Sequence, residues 1–161
     1  MKKDFYKDIF APDKGSLLDV RVFDTTLQDW QSVLDYLSAH YVIRYSENWV
    51  SKPLPSAEVI WKKRQQVTVL LEIELSGFNV NAHFFVENEI EIDIRPEDVD
   101  SRDKTDSVFE FMTSLATVLG KEVFLVPEHG KATEAELREM AVCSGVPGRG
   151  LTVRLGDNIA E

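Results

Sequence analysis

Between Gln66 and Ile94, apolar and polar residues alternate through three consecutive runs, QVTVLLEIEL, FNVNAHFFV and EIEIDI, separated only by Ser76-Gly77 and Glu87-Asn88. A period of two is that of a β-strand with one dry face and one wet face. Links of two residues can join only antiparallel neighbours. The middle of the chain is therefore committed to an antiparallel meander. Val67, Val69, Leu71 and Ile73, then Phe78, Val80, Ala82, Phe84 and Val86, then Ile90, Ile92 and Ile94 share the core face. Asn79, Asn81, His83 and Phe85 lie on the other face beside Glu72, Glu74, Glu89, Glu91 and Asp93. A slip of one residue at either turn would exchange the two sets.

The flanks supply the rest of the fold. LLDVRVFDT (17–25) is β-branched and alternating, a strand. Leu27, Trp30, Leu34 and Leu37 recur at helical spacing and predict a helix over about 26–39, with Thr25 and Gln28 placed for a capping box. YVIRY (41–45) is a strand and SENWVSKPLPS (46–56) a loop, since Pro53 and Pro55 exclude a central ladder position. AEVIWKKRQQ reads equally as a short helix capped by Ser56 or as an edge strand. Val108, Met112, Leu115 and Leu119 mark a second helix over about 105–119, ended by Gly120, and EVFLV (122–126) follows as a core strand. Thr133 with Glu136 predicts a short helix through about Val142, GVPGRG is a turn, and LTVRL (151–155) is an additional edge strand. The economical solution is an α+β domain: a mostly antiparallel sheet of five to six strands with two main helices on one face, a ferredoxin-like variant. One domain spans 1–161, with 1–16 as a loosely docked N-terminal arm and 128–161 as a peripheral C-terminal extension.

Charge is concentrated. The chain of 161 residues carries a net −10, and Glu87–Glu110 alone holds 10 acids against 3 bases. This balance disfavours non-specific binding to nucleic-acid phosphates and suits either a basic partner or a sheet face that is simply solvated. No stretch approaches a membrane span, MKKDFYKDIF lacks the apolar run of a secretory leader, and Cys143 has no partner for an intrachain disulfide. A cytoplasmic protein is the expectation.

The carboxylates define the candidate site. Strand residues two apart are separated by roughly 6.5–7 Å, so Glu72, Glu74, Glu91 and Asp93 form a row rather than a cage around a cation. No metal and no cofactor are expected. No G-x-S-x-G elbow or H-E-x-x-H pair is present, GVPGRG lacks the end of a phosphate loop, and Cys143 sits at a predicted helix end, where a thiolate is disfavoured. No catalytic residue is assigned. His40, His83 and His129 lack companion motifs, Trp30 belongs to a core stripe, and Trp49 and Trp61 flank the proline loop near Lys62, Lys63 and Arg64.

The segment from Glu89 to Glu128, EIEID leading through IRPEDV into VFEFMTSLATVLG and KEVFLVPE, together with the early TLQDWQSVLDYL helix, resembles small acidic bacterial immunity-type proteins. That resemblance covers about half the chain and implies a stoichiometric protein inhibitor of a toxin, without cofactor. The leading expectation is a non-enzymatic binding domain that meets a basic protein through Glu72, Glu74, His83, Glu89, Glu91 and Asp93. A small enzyme or ligand-binding domain near Trp49, Trp61, His83 or His129 is the alternative, and a homodimer through an edge strand or the open sheet face is a third reading.

Overall fold

The computed structural model describes residues 9–10, 17–128, 132–155 and 158–159. The elements run β1 (Leu18–Phe23), α1 (Leu27–His40), β2 (Ile43–Glu47), β3 (Val50–Lys52), α2 (Ala57–Lys63), β4 (Val69–Glu74), β5 (Asn79–Val86) and β6 (Glu89–Ile94). They continue with a single 3-10 turn (Pro96–Asp98), α3 (Arg102–Leu119), β7 (Val123–Pro127), α4 (Glu134–Met140), β8 (Cys143–Val146), β9 (Gly150–Leu155) and the two-residue β10 (Asn158–Ile159). The ten strands lie in the order β10-β9-β8-β7-β1-β6-β5-β4-β2-β3, and every neighbouring pair is antiparallel.

The meander forms in the predicted register. Leu71 opposes Ala82 and Ala82 opposes Ile92, which places the aliphatic set on one face. Ile90, Ile92 and Ile94 are completely buried, each contributing ~2 kcal/mol by removal from water. Val86 departs from the pattern. An irregularity in the β5–β6 ladder between His83 and Val86 leaves it 44% exposed. The β5–β6 turn is tied down by the Thr25 hydroxyl and the Trp30 indole N–H, which both donate to the Glu87 carbonyl at 2.7 and 3.0 Å.

Helices α1 and α3 cover this aliphatic face through Trp30, Val33, Leu34 and Leu37, and through Val108, Phe111, Met112 and Leu115. Thr26, not Thr25, caps α1: its hydroxyl accepts from the Asp29 N–H, and the Asp29 carboxylate accepts from the Thr26 N–H. Gly120 closes α3 in the left-handed region at φ 62°. Residues 57–63 are helical, with Ser56 as cap; they bury Ile60 and set Trp61 against Trp30 and Phe84.

The expected sheet of five to six strands with both main helices on one face, a ferredoxin-like variant, is corrected in two respects. The sheet is larger, because VSK (50–52), CSGV (143–146) and Asn158–Ile159 add strands where a loop, a helix end and a frayed terminus were expected. The opposite face is also not bare. Phe23, Phe124 and Val126 project onto it and are covered by Leu137 and Ala141 of the α4 segment. The Arg138 guanidinium lies 5.1 Å from the Phe23 ring centre and 4.8 Å from that of Phe124. These strands were invisible locally, because each holds too few residues to display a period.

Cys143 is accordingly a strand residue, fully buried, and burial pushes its thiol up to about 12. Among the described residues no helix is long and apolar enough to cross a membrane.

Candidate functional site

β1 inserts beside β6, so its polar residues join the acidic face. Asp19 stands opposite Asp93, Arg21 opposite Glu91 and Phe23 opposite Glu89. From the other side β5 places Asn81 opposite Asp93 and His83 opposite Glu91. Glu72 on β4 then opposes Asn81, and Arg44 on β2 opposes Glu72. With adjacent strands about 4.8 Å apart, side chains of one row are immediate neighbours.

Arg21 organises the centre. Its guanidinium bonds Glu89, meets Asp19 at 3.2 Å and approaches Glu91 at 3.3 Å. One step away His83 bonds Asp93, and the Asn81 amide donates to the other Asp93 oxygen at 3.1 Å. The Phe85 ring stacks on His83, with centroids 5.0 Å apart and planes within 3°, while remaining 53% exposed. At the far end Arg44 pairs with Glu72 at 3.0 Å and donates to the Trp49 carbonyl at 3.4 Å.

The electrostatics follow from this packing. Asp19 is only 1% exposed; burial, reinforced by the Glu91 charge and opposed by Arg21, raises its carboxyl to about 7. Burial likewise raises Glu91 above the usual carboxylate range, with Arg21 opposing. The bond to Asp93 raises His83 despite its partial burial, so the imidazolium is favoured on this face. A proton held more readily by Asp19 and Glu91, and a charge held more readily by His83, reduce the repulsion that a bare row of acids would carry.

The structure thus brings five of the six predicted residues, Glu72, His83, Glu89, Glu91 and Asp93, onto one face, in three bonded groups centred on Arg21, on the His83–Asp93 pair and on Arg44. Glu74 lies on the same strand as Glu72, one row further out and opposite Asn79, where it borders a separate groove. Sequence reasoning missed Asp19 and Arg21, the central pair, and also Asn81 and Arg44 as partners. Alternation in LLDVRVFDT put Asp19 and Arg21 on the polar face, but which strand lies beside β1 is a non-local fact. Among the described residues no group of His, Cys, Asp or Glu side chains is arranged to hold a metal ion. The carboxylates turn toward Arg21 and His83 instead of toward a common point.

The residues of the alternative site do not converge. Trp61 is buried in the helix-covered core beside Trp30, whereas His83 lies on the opposite sheet face. Trp49 is 71% exposed at the β2–β3 turn, where Asn48 and Trp49 both adopt positive φ, 48° and 69°. The Asn48 side chain anchors that turn by accepting from the Thr68 N–H at 2.9 Å. His129 lies outside the described residues. No family model, no curated protein and no solved structure matches this chain.

Proposed function

We propose that the protein is a non-enzymatic, cytoplasmic binding domain whose acidic sheet face receives a basic surface of a protein partner. The observation that carries this reading is the composition and order of that face. Asp19, Glu72, Glu89, Glu91 and Asp93 are bonded to Arg21, Arg44 and His83, which orders these side chains, and Glu74 lies one row further out. A pre-ordered charged surface speeds encounter and discriminates between partners without paying to order its groups on contact. Phe85, exposed and laid flat on His83, supplies the aromatic anchor that such interfaces concentrate near their centre. The similarity to immunity-type proteins is compatible with this mode, since those act by stoichiometric capture of a toxin.

Replacement of Phe85 by a photo-reactive phenylalanine analogue in the source organism tests the reading. The expected result is a cross-link to a basic protein that is absent when the same analogue replaces Asp35 on the exposed side of α1. The same set of adducts from both positions, or none from position 85, would remove the proposal.

A further inference from the structure

Between the carboxyl end of α1 and the first half of α3 lies an open groove of about 490 Å³. Tyr36, His40, Tyr41 and Val42 line one wall, Glu74, Leu75 and Ser76 a second, and Ser107 and Glu110 the third. Its size falls within the range of small-ligand sites, roughly 300–1,000 Å³. Among the described residues no Lys or Arg lines it, although α3 carries Arg102 and Lys104 in its first turn.

Three independent features give the groove one electrostatic sign. Glu74 and Glu110 reach it from different elements, a strand and a helix, and both are exposed. The aromatic wall is continuous: Tyr36 lies 4.5 Å from the His40 ring and 6.1 Å from that of Tyr41, and Tyr41 meets Phe111 edge-on at 5.7 Å. Aromatic faces attract cations. The third feature is α1 itself, whose 14 residues end at His40, so the negative end of its dipole opens here. Burial, Tyr36 and the Glu110 charge raise the Tyr41 phenol well above the usual value, so it adds no negative charge of its own. Val42, 70% exposed at the rim, offers an apolar contact for an aliphatic stem.

We propose that this groove binds an organic cation, a primary ammonium or guanidinium group on a flexible alkyl stem. The carboxylates of Glu74 and Glu110 neutralise the charge, Tyr36 and Tyr41 present their rings to it, and Val42 packs on the stem. Two sources share this chemistry: a free amine such as a diamine, and a Lys or Arg side chain of a peptide. The groove shares only Glu74 with the acidic face, because Glu110 and Tyr36 lie on helices that cover the other side of the sheet.

Amide chemical shifts of the intact protein, followed during titration with cadaverine, agmatine, a blocked Gly-Lys-Gly peptide and neutral 1-pentanol, test the site. The expected result is saturable movement at Tyr36, Tyr41, Ser76 and Glu110 with Kd of order 1 mM for the cations, and no saturation with pentanol. Glu110→Gln and Glu74→Gln should each weaken cation binding about tenfold with unchanged melting, since both side chains are exposed; Glu91→Gln should leave it unchanged. Tighter binding of the free diamine identifies a metabolite site, and tighter binding of the peptide identifies a lysine socket. Equal response to pentanol, cation affinity unaltered in the Glu74→Gln/Glu110→Gln double variant, or no saturable shift with any cation would overturn the proposal.

Discussion

Arg21 stands directly across the β1–β6 ladder from Glu91, and its guanidinium holds Glu91, Asp19 and Glu89 together. One cation on β1 thereby converts three repelling carboxyls into a cluster. The Arg21 side chain is 11% exposed and that of Asp19 only 1%. Removing the cation would leave carboxylates under partial burial with nothing to offset them. Arg21→Met is expected to destabilise the fold by about 3 kcal/mol. Urea denaturation at neutral pH checks this, and an unchanged midpoint would show that the cluster tolerates its own repulsion.

The same cluster gives stability a defined pH slope. Folding raises Asp19 from 3.8 to about 7. Below about pH 4 both folded and unfolded chains keep that proton; between about 4 and 7 only the folded chain does. The contribution of protonated Asp19 is therefore full below the unfolded value and lost as pH rises through about 7. His83, also raised, contributes in the same direction at higher pH: its charged form stabilises fully below 6.5 and fades as pH rises through the folded value. The difference in melting temperature between the wild type and Asp19→Asn should shift against the wild type as pH rises from 4 to 8. A difference independent of pH would contradict the raised carboxyl.

At the β2–β3 turn a bulky residue occupies a conformation that favours glycine. Trp49 sits at φ 69° with its ring largely in water, so its side chain contributes little burial to offset the backbone strain. Trp49→Gly would give the Asn-Gly pair preferred in two-residue hairpins of this kind. The variant is expected to be unchanged or more stable by up to about 1 kcal/mol, read by thermal melting. Clear destabilisation would show that the indole packs in solution.

On the other side of the sheet, β8 passes close to α3. A Cβ added at Gly145 would lie 3.2 Å from the Met112 carbonyl oxygen and 3.4 Å from the Thr113 Cα. These are backbone atoms of a helix packed on the sheet, so relief requires an element to shift. Gly145→Ala should cost about 1–3 kcal/mol in denaturant melts, whereas an alanine at Ser144, on the other face of the same strand, would remove only its bond to Glu122.

How much of this was legible in the sequence follows from the range of each interaction. Ile73, Val80 and Ile92 were readable as core because alternation and two-residue turns act within a few residues. The stripe of Leu27, Trp30, Leu34 and Leu37 was readable for the same reason. Arg21 was legible as polar-facing but not as the centre of the site, because its bond to Glu89 joins residues 68 apart. Val50–Lys52 and Cys143–Val146 were not legible as strands. The first is a three-residue edge followed by proline, and the second carries Ser and Gly where a periodic apolar signal would be needed. The Tyr36, Tyr41 and Glu110 groove is assembled from the end of one helix and the middle of another, a juxtaposition that no local pattern encodes.

The central claim concerns charge recognition by the sheet face, and the salt dependence of binding tests it most directly. The protein captured through position 85 would be titrated with wild type and with Glu72→Lys, at roughly 50 and 200 mM salt, either side of the ionic strength at which the Debye length is about 10 Å. Wild-type affinity should fall as salt rises, and the variant should bind about tenfold more weakly at low salt with a flatter slope. Equal affinity of the two proteins, with the same salt slope, would contradict the account.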